Sequence, residues 1–108
     1  MVNTNNNAVE VIPMREYDFR DWLENGQRMT QRPINDCLSR CRRVERKLKI
    51  NLDEEFKKDE GHGIMLLLAD DENSVLATQL GFADGANISN GLASLRSAVR
   101  TYFSFCRY

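Results

Sequence analysis

The apolar positions of this chain recur at helical spacing in several blocks. In the clearest, Ile34, Cys37, Leu38, Cys41, Val44 and Leu48 line up along one side. At about 100° per residue they share an arc of roughly 120°, the stripe of an amphipathic helix. Thr30 stands before the stripe as an N-cap, and Pro33 lies in the first turn, where a missing N–H is harmless. The other side carries Arg32, Arg40, Arg43, Arg46 and Lys47, flanked by Arg42 and Lys49. Glu45 departs from the pattern and projects into the apolar arc. A carboxylate there needs a place near the edge or a base from another helix.

Further helices follow from the same reading. Tyr17, Phe19, Trp22 and Leu23 mark a helix from about Pro13 or Met14 to Glu24, stopped by Asn25-Gly26. Trp22, the single tryptophan, is expected as a core anchor. Asn51 with Glu54 has capping-box spacing for a short helix whose Leu52 and Phe56 face inward, and Gly61-His62-Gly63 breaks it. A last helix starts near Ser89 or Asn90 with Leu92, Leu95, Val99, Tyr102, Phe103 and Cys106 on its apolar face, widened by Ala98 and Phe105. Arg96, Arg100 and Arg107 form one flank of it, a candidate partner for Glu45.

Residues 64–80 are ambiguous. Ile64 to Ala69 is apolar without a period, the acidic cluster Asp70-Asp71-Glu72 follows, and apolar character resumes at Val75. Two short helices joined by an acidic turn are favoured, because Leu, Met and Ala outnumber β-branched residues. A β-hairpin is the alternative. The fold expected is therefore an all-α single-domain bundle of four to five helices, or α+β if the hairpin forms. Residues 1–13, with Asn3 and Asn5 to Asn7, read as a flexible tail before a domain at 14–108.

Composition narrows the class. The 108 residues fit one domain, and 42% hydrophobic with 29% charged residues can build a core. No apolar stretch approaches the roughly 18 residues of a membrane span. The polar start, Met-Val-Asn-Thr-Asn-Asn-Asn, has no signal-peptide pattern, so a cytoplasmic location is expected. Three cysteines leave one over in any disulfide scheme, and Cys37 and Cys41 read as small buried core residues.

The net charge of −1 is a cancellation. Residues 1–27 carry two bases and five acids, and residues 28–58 carry ten bases and five acids. Residues 59–87 carry no base and six acids, and residues 88–108 carry three bases and no acid. Folding that segregates these signs gives the domain a basic side and an acidic side. A basic face binds phosphates even on a neutral protein, because the field is local and screened over about 8–10 Å. Arginine's forked donors suit phosphate.

Catalytic patterns are missing. No phosphate loop, HExxH, paired CxxC or GxSxG occurs. His62 stands between glycines in a turn without a nucleophile placed by motif. Asp70, Asp71 and Glu72 lack the spaced ligands of a calcium loop. The chain is read as no enzyme, with no metal and no cofactor.

The stretch Asp18-Phe19-Arg20-Asp21-Trp22-Leu23, then Met29-Thr30, then Ile34 through Leu48, resembles the opening helices of the core-binding domain of tyrosine recombinases, the phage integrases. The run from Leu95 to Phe105 resembles that domain's last helix. The likeness is one of pattern and covers roughly residues 15–106. It implies a SAM-like helical bundle that grips DNA with basic helices, here without the catalytic domain, so no active-site residues carry over. A phage or mobile-element accessory factor is the corresponding role. Two functions compete. One is nucleic-acid binding, DNA by preference, through Arg32, Arg40, Arg42, Arg43, Arg46, Lys47, Lys49, Arg96 and Arg100. The other is a protein-interaction or inhibitor module that uses Asp70, Asp71 and Glu72, with self-association as a homodimer among its forms.

Overall fold

The computed structural model describes residues 14–69, 74–82 and 88–108, and every regular element among them is helical. The elements are α1 (Glu16–Asp21), a π-helical turn (Trp22–Gly26), α2 (Gln31–Leu48), α3 (Leu52–Asp59), α4 (His62–Leu68), α5 (Ser74–Gln79) and α6 (Ile88–Cys106). Six α-helices stand among the described residues where four to five were expected, and the two short helices favoured for 64–80 both form, as α4 and α5. The hairpin alternative is thereby overturned. Residues 1–13 and the acidic turn 70–73 lie outside the described residues. No described helix is long and apolar enough to cross a membrane.

Helices α2 and α6 form the frame, packed along each other, with α3, α4 and α5 against α6 and α1 against α2. The stripe of α2 is buried as its spacing requires: Ile34, Leu38, Cys41 and Val44 have no exposed surface. Leu92, Leu95, Val99, Tyr102 and Phe103 supply the facing side of α6. Each such aliphatic side chain contributes about 1.5–3 kcal/mol on burial. Cys37 and Cys41 are free core thiols, 3.9 and 3.4 Å from the Ala98 carbonyl of α6.

An aromatic cluster joins the two chain ends of the domain. Phe19 meets Tyr102 edge-on at 4.8 Å and lies 5.3 Å from Phe105. Trp22, half-buried, packs 5.7 Å from Phe105 and 5.4 Å from Tyr108. The expected stop holds, since the π-helical turn ends at Gly26. Tyr17 departs from the expected stripe and is 84% exposed, because α1 turns only the Phe19 side inward.

Caps separate the short helices. The Asn51 side chain accepts from the Glu54 N–H at 2.9 Å, the interaction that its spacing forecasts. Glu60 and Gly61 then both take left-handed backbone and end α3. Gly61 is required there: its φ is +83°, and a Cβ would overlap the Phe103 ring. His62 and Gly63 lie inside the first turn of α4 and not in a break. Asp59 caps that turn, accepting from the Gly63 N–H at 2.9 Å.

Glu45 corrects the sequence reading. Its carboxylate is 4% exposed and meets no base from α6. One oxygen accepts from the Met14 N–H at 3.3 Å, and the other accepts from the Leu52 N–H at 2.9 Å. Backbone amides replace the expected arginine, which fits the rule that a buried charge be hydrogen-bonded. Burial pushes the Glu45 carboxyl above its ordinary value, against the opposing pull of those two N–H groups. A second junction lies beside it. The Tyr102 hydroxyl donates to Asp53 at 2.9 Å and accepts from the Arg15 N–H at 3.0 Å, while Arg15 pairs with Asp53 at 2.9 Å.

Glu45→Ala leaves two buried N–H groups without acceptors, each worth about 1–3 kcal/mol. The variant should lose roughly 2–4 kcal/mol in chemical denaturation at neutral pH. The direction of the Glu45 shift adds a pH test. A carboxyl raised in the folded state favours folding in acid, and that contribution is lost as pH rises through the folded value. The stability of the wild type relative to Glu45→Gln should therefore fall from the acid range toward neutrality. A rise over that interval contradicts the assignment.

Candidate nucleic-acid interface

The bases that the sequence groups together have different partners in the fold. Arg43 leaves α2 toward the end of α5. Its Nε donates to the Leu80 carbonyl at 2.8 Å, its Nη2 to the Gly81 carbonyl at 3.3 Å, and its guanidinium lies 4.7 Å over the Phe82 ring. The Nη2 atom is 2.8 Å from where a Cβ on Gly81 would stand. Arg96 does the same from α6, donating to the Leu68 carbonyl at the end of α4 at 3.0 Å. Both cations occupy helix C-termini, where the carbonyls lack partners and the dipole is negative. Arg42 pairs with Glu16 of α1 at 2.8 Å. These three of the nine expected phosphate ligands hold the fold together.

The other six differ. Arg32, Arg40, Arg46, Lys47, Lys49 and Arg100 are exposed, and none of their side chains makes an ion pair or hydrogen bond with another described residue. On α2, Arg32, Arg40, Arg46 and Lys47 share the outward side by helical spacing. With a rise of about 1.5 Å per residue they extend over roughly 22 Å. Ser39, Arg42, Arg43, Arg46 and Lys47 surround a shallow basin of about 280 Å³. Lys49 stands apart in left-handed backbone at the end of α2. Arg100 lies on α6.

A larger groove of about 740 Å³ runs between α2 and α6. Arg32, Asp36 and Arg40 form one wall, and Ser94, Ser97 and Thr101 the other. Pro33, Cys37 and Ala98 also line it. The sequence reading missed this groove. The small polar residues of α6 at steps of three and four were its trace.

Burial and Asp53 push the Cys106 thiol up to about 11. Burial, with Asp53 on its hydroxyl, also raises Tyr102. Contact with Cys37 and burial push the Cys41 thiol up. His62 Nδ1 lies 3.0 Å from the Asp59 carbonyl within its own turn. Among the described residues no three His, Cys, Asp or Glu side chains are grouped to hold a metal. Asp70, Asp71 and Glu72 lie outside the described residues.

Together these features define a small all-α domain with an unpaired basic helix face beside a polar groove. No protein-family model, curated protein or solved structure matches the chain.

The division between capping and free bases is measurable. Arg43→Ala removes charged donors from two carbonyls and should cost about 1–2 kcal/mol by denaturation. Arg40→Ala should stay within about 0.5 kcal/mol, as solvated surface positions do. Equal losses contradict the division.

Proposed function

We propose that this protein is a non-catalytic nucleic-acid-binding module that presents the outward side of α2 to phosphates, DNA being the favoured ligand. One observation carries the reading. Arg32, Arg40, Arg46 and Lys47 share a single exposed helix face, and none forms an ion pair with a described residue. The cost of keeping like charges together on one face is offset when phosphates meet them, with release of counterions from the nucleic acid. Arg42, Arg43 and Arg96 are excluded from the ligand set because their guanidiniums are engaged within the fold. The resemblance to the recombinase core-binding domain and a mobile-element accessory role agree with this reading and rest on residue pattern alone.

Charge reversal at Arg46→Glu plus Lys47→Glu is the direct test, since both side chains are exposed and outside the caps. The wild type should retain a duplex or hairpin DNA at about 50 mM salt and release it steeply as salt rises. The double variant should lose retention while keeping its helical circular dichroism. Absence of wild-type binding to any nucleic acid at low salt would sink the proposal.

A second reading, a protein-interaction module, is favoured by a different surface. Leu66 and Val75 are 75% and 76% exposed. Leu48, Ile50, Ile64, Leu67 and Gln79 line an adjoining groove of about 310 Å³. Exposed apolar surface of this kind marks contact sites. Under this reading, light scattering at micromolar concentration detects a dimer, and Leu66→Asp plus Val75→Asp returns it to monomer. A wild-type monomer across that range removes the self-association form.

A further inference from the structure

We infer that the groove between α2 and α6 seats one strand of a duplex, gripping its sugar-phosphate backbone and not its bases. This deepens the nucleic-acid reading above and rests on it. The groove has the donors that a phosphodiester needs. Arg32 and Arg40 stand on one wall without partners among the described residues, and Ser94 and Ser97 stand on the other. Thr101 already donates its hydroxyl proton to the Ser97 carbonyl at 3.0 Å and keeps only acceptor capacity.

The spacing suits a continuous strand. Arg32 and Arg40 are eight residues apart on α2, or about 12 Å at 1.5 Å per residue. That separation lets the two guanidiniums meet different phosphates of one strand, which advances about 3.4 Å along the duplex axis per phosphate. Arg46 and Lys47 continue the same face beyond the groove.

The choice of duplex over single strand follows from what the walls lack. Sequence-tolerant single-strand binders stack bases on aromatic side chains, at about 1–3 kcal/mol per base. No described residue lining this groove is aromatic. Tyr108 packs against Trp22, and Tyr17 lies on α1. A strand whose bases remain stacked in their own duplex needs no such platform, and only its backbone need enter. Asp36 opposes the phosphate, since its carboxylate lines the groove between the two arginines. It makes the proposal testable by a gain of affinity as well as a loss.

The test is fluorescence anisotropy with a short DNA duplex and its isolated strand, between about 50 and 200 mM salt. The duplex should bind the wild type at least about tenfold tighter than the strand. Arg32→Ala plus Arg40→Ala should weaken duplex binding and flatten the slope of log K against log salt by about 2, at about 0.9 per lost phosphate contact. Asp36→Asn should tighten duplex binding about threefold to fivefold, a gain that misfolding cannot imitate. Equal or tighter binding of the single strand overturns the duplex assignment. An unchanged slope in the Arg32/Arg40 variant, with loss in the Arg46/Lys47 variant, overturns the groove and leaves the α2 reading intact. No wild-type binding to either probe removes both.

Discussion

The fold depends on a carboxylate that is deprived of water and given backbone in its place. Glu45 sits on the apolar side of α2, and its two oxygens take the N–H groups of Met14 and Leu52. Those amides belong to the chain just before α1 and to the first residue of α3. One side chain thus holds the entry of one helix and the start of another against the last turn of α2. Tyr102, Asp53 and Arg15 repeat the device from α6, so the same two chain segments are held from both sides. An arginine partner, which the sequence suggested, would have tied Glu45 to a single helix.

The two basic helices use part of their charge in a comparable way. Arg43 and Arg96 reach across to the ends of α5 and α4. Arg43 donates to the Leu80 and Gly81 carbonyls and Arg96 to the Leu68 carbonyl. The ends of α4 and α5 are thereby tied to α6 and α2 through backbone carbonyls, while Arg32, Arg40, Arg46 and Lys47 keep their side chains outward. A cation spent on a helix end is worth more to stability than an exposed ion pair, whose median is about 0–1 kcal/mol. The separation of duties along one helix follows from that difference.

Much of the architecture was legible in the residues. The stripe of α2, the Asn51 cap and the apolar face of α6 are each written in side-chain spacing, which is the quantity that periodicity reads. The segment 64–80 was harder, because an unbroken apolar run such as Ile64–Ala69 fits a strand or a helix equally. Glu45, Arg43 and Arg96 were legible as anomalies or as members of a charge run, but their partners were not. Every residue except proline offers an N–H and every residue a carbonyl, so a side chain that binds backbone leaves no complementary residue type to find. Eight of the nine candidate bases lie on α2 and α6, and Lys49 caps the end of α2. Which of them remain available was a tertiary fact.

The availability of those bases bears on how a domain with a net charge of −1 would bind a polyanion. The screening length at physiological salt is about 8 Å, shorter than the roughly 22 Å from Arg32 to Lys47. A phosphate at the α2 surface therefore responds to the bases within about one screening length and hardly to the acids of a distant segment. Within that radius the opposing charge on the groove wall is Asp36, one carboxylate between two arginines. Its presence weakens the attraction at that wall, and the two arginines on either side of it stand about 12 Å apart along α2, too far for one small anion to meet both. A spaced series of phosphates has the reach to meet both. The composition that looks indifferent to nucleic acid in total is thus compatible with a local and geometrically selective basic face.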